Sequence, residues 1–214
     1  MDHRHEKENA KTARWADWRE FRHLIFATLF GCVAIVLVAL ASWLLDEPAA
    51  LFTREPQGYL DGPFYTGSFS NLGGLIWFAA AAIMSFAASL KRLDRGALTL
   101  AALLTWAMGV DDVFMLHDRV YPKLYLHETV VFALYFGVIG IIFLRYYRHL
   151  GRSTLIGIAL AVFFWALSAA FDFFFNEAGQ LAEDGSKFIG IAIWAAAWTR
   201  QAYSDMAELV RSGV

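Results

Sequence analysis

Long uninterrupted apolar segments constrain this chain more than any other feature of its sequence. Six of them occur, and each is close to the roughly 20 residues that a helix needs to cross a bilayer. They cover residues 23–45, 67–90, 97–118, 126–146, 154–175 and 186–203. Backbone groups in hydrocarbon must pair within their own segment, so each segment is predicted to be a helix. The predicted fold is therefore an all-α integral membrane protein, a six-transmembrane-helix bundle over residues 23–206.

Polar segments flank this predicted membrane domain. In residues 1–22, Trp15, Trp18, Arg19 and Arg22 recur at helical spacing, which is typical of an amphipathic helix in the membrane interface. Residues 207–214 are predicted to form a cytoplasmic tail. Residues 46–66, between the first two spans, hold three of the four prolines and are predicted to form an ordered loop.

The distribution of basic residues predicts the orientation of the bundle. Of the 18 Lys and Arg residues, 14 fall on the side that both termini share and 4 on the other side. Because cytoplasmic loops carry the excess of Lys and Arg, both termini are predicted to be cytoplasmic, in a bacterial-type inner or plasma membrane. The net charge of −2 excludes the basic character of a nucleic-acid-binding protein.

Polar residues within the spans collect at one end of the predicted bundle. Spans two, four and six start on the side away from the termini, and spans three and five end there. Five helix ends therefore deliver polar side chains to the extracytoplasmic leaflet. The set comprises Ser70, Asp111, Asp112, His117, Asp118, His127, Glu128, Asp172, Glu183, Asp184 and Lys187.

Asp111 is the deepest acid of this set in the third span. An ionised carboxylate facing lipid there costs about 2.5–3.5 kcal/mol, so Asp111 is expected to face the bundle interior and to have a partner. Asp111, Met115 and Asp118 are predicted to share one face of the third span, with Asp118 about 10 Å nearer the surface.

Two imidazoles among several carboxylates match the ligand preferences of a divalent transition metal, with Zn or Fe the expected ion. The expected ligands are His117, His127, Asp111 and Asp172, and the candidate catalytic residues are Asp111, Asp112 and Ser70. A catalytic metal keeps an open position for water, which a further carboxylate can deprotonate. The residues expected to support this site from around it are Glu128, Asp118, Glu183, Asp184 and Lys187.

The depth of the cluster, near the lipid headgroups, favours a metal-dependent hydrolase acting on a membrane lipid or amphiphile. An ion, metal or proton-coupled transporter with Asp111 and Asp172 as a relay is the alternative. A third interpretation is a small accessory subunit whose acids cap helices and form ion pairs. The apolar inner halves of the spans favour the enzyme. Membrane lipid is the expected partner, and the sequence leaves the oligomeric state open.

Overall fold

A computed structural model describes residues 18–53, 63, 65–91, 95–175 and 179–212 of the chain. The described residues form helices and turns without any strand. The helices are α1 (Trp18–Leu45), α2 (Ala50–Thr53), α3 (Ser68–Leu90), α4 (Gly96–Val113), α5 (Glu128–Tyr146), α6 (Arg152–Phe175) and α7 (Gln180–Ser212). The predicted interfacial segment 1–22 lies outside the described residues except for its end, which belongs to α1.

Five helices are long and apolar enough to cross a membrane, which confirms an all-helical protein of the membrane class. These spans are Phe21–Leu45, Ser68–Leu90, Gly96–Val113, Glu128–Tyr146 and Arg152–Phe175. The predicted sixth segment, 186–203, lies inside α7, which is not among the five. The apolar part of α7 is short because Lys187 and Arg200 bound it.

α7 nevertheless makes the most extensive packing contacts of the described helices. It packs most extensively on α6 and also on α1 and α3, while α3 packs on α4. Its middle is buried, with Ile193, Trp194, Ala197 and Trp198 fully enclosed. Small residues permit this close packing: a Cβ on Gly157 of α6 would lie 2.5 Å from the Cβ of Ala197.

The third span differs from the prediction at its outer end. α4 stops at Val113 and does not reach Asp118, so the expected common helical face of Asp111, Met115 and Asp118 is wrong. Met115 has a φ of 51°, and this left-handed residue ends the regular helix. A π-helical turn (Leu116–Val120) and a 3₁₀ turn (Tyr121–Leu124) then lead to α5.

Candidate active site

The chain reversal at Met115 brings His117 back onto Asp111. The backbone N–H of His117 donates to Asp111 Oδ1 at 2.8 Å, and His117 Nδ1 lies 3.1 Å from the same oxygen. Asp111 is buried, with 2% of its surface exposed. It therefore faces the interior with a partner, as expected, and the partner is the histidine six residues later.

Tyr135 of α5 completes the surroundings of Asp111. Its hydroxyl donates to Asp111 Oδ2 at 3.1 Å, so both carboxylate oxygens accept hydrogen bonds. With Asp111 ionised, Nδ1 of His117 carries the proton and Nε2 is left with its lone pair in the neutral ring. This arrangement of carboxylate and imidazole is the one that orients a histidine as a general base.

The other side of the His117 ring faces Asp118, with 3.6 Å between Nε2 and Asp118 Oδ2. Burial lowers the pKa of His117, but the hydrogen bond to Asp111 and the negative charge of Asp118 outweigh it. The pKa therefore lies above the usual 6.5. His117 therefore keeps its proton to a higher pH than a free imidazole does.

A second pair of charges joins α4 to α7. Lys187 forms an ion pair with Asp112 Oδ1, and Asp112 is buried like its neighbour Asp111. One turn before Lys187, burial and the charges of Asp184 and Asp172 raise the pKa of Glu183 to about 7. Carboxylates from α6 and from the start of α7 are therefore crowded together here.

These groups line one cavity of about 880 Å³ at this end of the bundle. The cavity brings together all but one of the residues singled out from the sequence. They are Ser70, Asp111, Asp112, His117, Asp118, Glu128, Asp172, Glu183, Asp184 and Lys187. In the structure Ser70 is half-buried, whereas Asp118, Glu128 and Asp172 are exposed.

His127 is the exception. It is exposed and lies outside the cavity lining. Its side chain caps α5, because Nδ1 accepts a hydrogen bond from the backbone N–H of Thr129 at 3.3 Å. Across the described residues, no three or more His, Cys, Asp or Glu side chains are grouped as metal ligands. The metal site, with His127 as a ligand, stays a prediction. Of its predicted ligands, His117 and Asp111 contact each other, with 3.1 Å between Nδ1 and Oδ1.

Aromatic rings form the deep side of the cavity. Trp77 and Trp165 line it, with 5.7 Å between their ring centroids, and Trp165 packs in turn on Trp194 at 5.6 Å. Trp194 donates from Nε1 to Thr105 Oγ1 at 2.9 Å, and Trp198 lies next to it. Trp194 and Trp198 therefore serve packing, and the cavity ends on a close-packed layer.

Sequence reasoning missed three residues of the site. Tyr135 and Trp77 lie in the apolar parts of α5 and α3, where an aromatic residue is normally read as packing. Arg119 lines the cavity as a second cation beside Lys187. Tyr135 and Trp77 each carry a polar group on an aromatic ring, and only the structure shows that they line this cavity.

Comparison with known families places the chain in one of them. A family model described as "Domain of unknown function (DUF8692)" matches residues 27–200. The chain belongs to this family. The matched segment contains every residue that lines the cavity. Neither the comparison with curated proteins nor that with solved structures finds a match.

Proposed function

We propose that the protein is a membrane-embedded hydrolase that acts on a lipid or amphiphile. The observation that carries the proposal is the buried Asp111 holding Nδ1 of His117 inside a cavity large enough for a small-molecule substrate. A base oriented in this way contributes typically 10²–10⁴-fold to a rate. Ester or amide cleavage is the reaction class that such a base serves.

The steps follow from the His117 geometry. Nε2 takes a proton from water as the water oxygen bonds to the carbonyl carbon of the substrate. Collapse of the tetrahedral intermediate breaks the bond to the alcohol or amine, which leaves with the proton that Nε2 returns. Asp111 stabilises the imidazolium between these steps, and Tyr135 fixes the orientation of Asp111. Water is the nucleophile in this scheme, and Ser70 lines the cavity as an alternative one.

The predicted metal belongs to the proposal as a second element. A divalent ion held by the predicted ligands His117, His127, Asp111 and Asp172 would polarise the carbonyl and lower the pKa of a bound water. His127 would then have to leave its capping position to become a ligand. Metal analysis and the variants below separate a metal-assisted reaction from one that depends on the Asp111–His117 pair alone.

We also propose that α7 is the sixth span and that both termini are cytoplasmic. Lys187 pairs with Asp112 at the cavity end of α4, while Asp205 pairs with Lys91 at the far end of α3, at 2.7 Å. The 18 steps along the helix from Lys187 to Asp205 rise about 27 Å, close to the roughly 30 Å of a bilayer core. α7 is less apolar than the other spans, but its middle is buried against other helices, so few of its side chains would contact lipid. This burial supports its placement as a span.

The packing beneath the cavity argues against the transporter alternative. A transporter needs a route from the cavity to the opposite face. In the described structure the layer under Trp77 and Trp165 is filled by fully buried Trp194, Trp198 and Met84. A site that is closed on one side suits an enzyme that receives its substrate from one leaflet.

The test is a hydrolysis assay on purified protein in nanodiscs, with ester- and amide-linked amphiphiles analysed by mass spectrometry. We expect turnover that His117→Ala abolishes, that Asp111→Asn lowers at least about 100-fold, and that Tyr135→Phe lowers less. His149, exposed in the turn that follows α5, is the matched control, and His149→Ala should retain full activity.

His127→Ala decides the role of the metal. Loss of both bound metal and turnover in this variant would support the predicted metal site, whereas full activity would assign the reaction to the Asp111–His117 pair. Turnover that survives His117→Ala would refute the proposed hydrolase.

A further inference from the structure

We propose that the cavity binds a cationic amphiphile. Its ammonium group lies against Asp172, Glu183 and Asp184, and its hydrocarbon chain lies in the cleft between α5 and α6. The inference rests on the proposed hydrolase and specifies its substrate class.

The charge of the cavity selects a cation. Seven carboxylates line it, against the two permanent cations Arg119 and Lys187, and Lys187 is already paired with Asp112. The crowding is sharpest where α6 ends and α7 begins. There Glu183, itself partly buried, stands close enough to Asp172 and Asp184 for their charges to raise its pKa. A bound ammonium relieves this repulsion, and the surrounding aromatic rings add cation–π attraction.

The packing of the helices leaves an opening toward lipid. α5 packs on α4 and α6 packs on α7, but α5 and α6 have no comparable contact with each other, although a short connection joins them. The cavity lies between them: Phe132 and Phe136 line it from α5, and Ala166 and Ala169 from α6. All four side chains are exposed. In a bilayer this cleft faces hydrocarbon, so an acyl or alkyl chain can lie in it while the headgroup occupies the cavity.

A buried donor gives the cavity a place for the polar linkage between head and tail. Trp77 is only 2% exposed and lines the cavity, and its Nε1 has no hydrogen-bond partner among the described residues. A buried donor without a partner destabilises the folded protein, and a ligand that accepts its hydrogen bond gains that energy. Less than 1 Å² of this nitrogen is exposed, so a carbonyl or hydroxyl oxygen of the ligand satisfies it once the Trp77 ring turns Nε1 toward the cavity.

The test measures binding of eight-carbon probes to the full-length protein in nanodiscs by isothermal titration calorimetry. Octylamine should bind at least about tenfold more tightly than octanol or octyl phosphate, a difference worth about 1.4 kcal/mol. Tetramethylammonium, which has a charge but no chain, should bind more weakly than octylamine by a similar factor.

Variants locate the two parts of the ligand. Asp172→Asn combined with Glu183→Gln should remove the preference for octylamine, whereas Glu208→Gln, an exposed acid at the other end of α7, should preserve it. Ala169→Trp, which fills the cleft, should weaken octylamine but not tetramethylammonium. Ala82→Trp on the exposed face of α3 is the matched control and should change neither.

The outcomes separate this inference from the hydrolase. Equal affinity for octylamine and octanol, or an octylamine affinity that the acid variants leave unchanged, would overturn the cationic ligand. If His117-dependent hydrolysis of neutral amphiphiles persists in that case, the hydrolase stands without it. Conversely, tight octylamine binding by a wild-type protein that hydrolyses none of the tested amphiphiles would support the ligand site and refute the hydrolase.

Discussion

Replacing Asp111 with Asn tests the buried network on which the candidate site depends. The carboxylate accepts three hydrogen bonds, two from His117 and one from Tyr135. A hydrogen bond to a charged group is worth roughly 1 kcal/mol more than one between neutral groups. Three such losses make Asp111→Asn about 3 kcal/mol less stable. The side chain of Asp118 is 48% exposed, so Asp118→Asn should lower the free energy of unfolding by less than about 1 kcal/mol.

The same substitution should move the titration of His117. Without the hydrogen bond and charge of Asp111, the pKa of His117 should fall below its wild-type value. In the wild type the folded pKa is raised, so the stability that protonated His117 contributes is complete below pH 6.5 and is lost as pH rises through the folded pKa. That loss should be absent from Asp111→Asn.

The assay combines unfolding in mixed micelles with NMR titration of ring-labelled histidine. Asp118→Asn is the control, because it removes a nearby charge without touching the three hydrogen bonds. Equal destabilisation by the two variants, or an unchanged His117 titration in Asp111→Asn, would refute the network and the role given to it.

Three further predictions concern topology, packing and charge. In a Cys32→Ser background, an impermeant maleimide added outside intact cells should label Lys123→Cys but not Ser212→Cys. The reverse pattern would show that the termini lie on the outer side. Gly157→Ala should cost about 1–3 kcal/mol because its Cβ would meet Ala197, whereas Gly140→Ala, with nothing within 4 Å, should be neutral or stabilising; equal effects would contradict the α6–α7 contact. The pKa of Glu183 is raised from 4.5 to about 7 in the folded protein. Between these pH values the folded state holds a proton that the unfolded state has released, so the free energy of unfolding should fall as the pH rises from 4.5 to 7. Glu183→Gln should therefore raise the melting temperature at pH 8 but not at pH 4, and no change at pH 8 would count against the crowding of carboxylates.

Much of the fold follows from the apolar segments. Helices in lipid must satisfy their own backbone groups, so five predicted spans recur with small shifts of their ends. The convergence of the polar residues followed from the alternating direction of the spans, which brings one end of each span to the same leaflet. For this reason ten of the eleven chosen side chains line one cavity.

The rest depends on local geometry and tertiary packing that no pattern in the chain signals. Met115 adopts a left-handed conformation that a non-glycine residue rarely takes, and this turn alone brings His117 onto Asp111. His127 resembles a ligand by type, but its place one residue before α5 makes it a cap. α7 is less apolar than the other helices because protein rather than lipid surrounds it.

The most direct test of the central claim is hydrolysis in water labelled with heavy oxygen. Purified protein in nanodiscs is given an ester-linked amphiphile, and the carboxylic acid product is weighed by mass spectrometry. The proposed reaction predicts that one heavy oxygen enters the acid, at a rate that rises with pH as His117 loses its proton, and that His117→Ala forms no labelled product. Labelled product formed equally fast by His117→Ala, or no product from the wild type with any ester or amide amphiphile, would contradict the account.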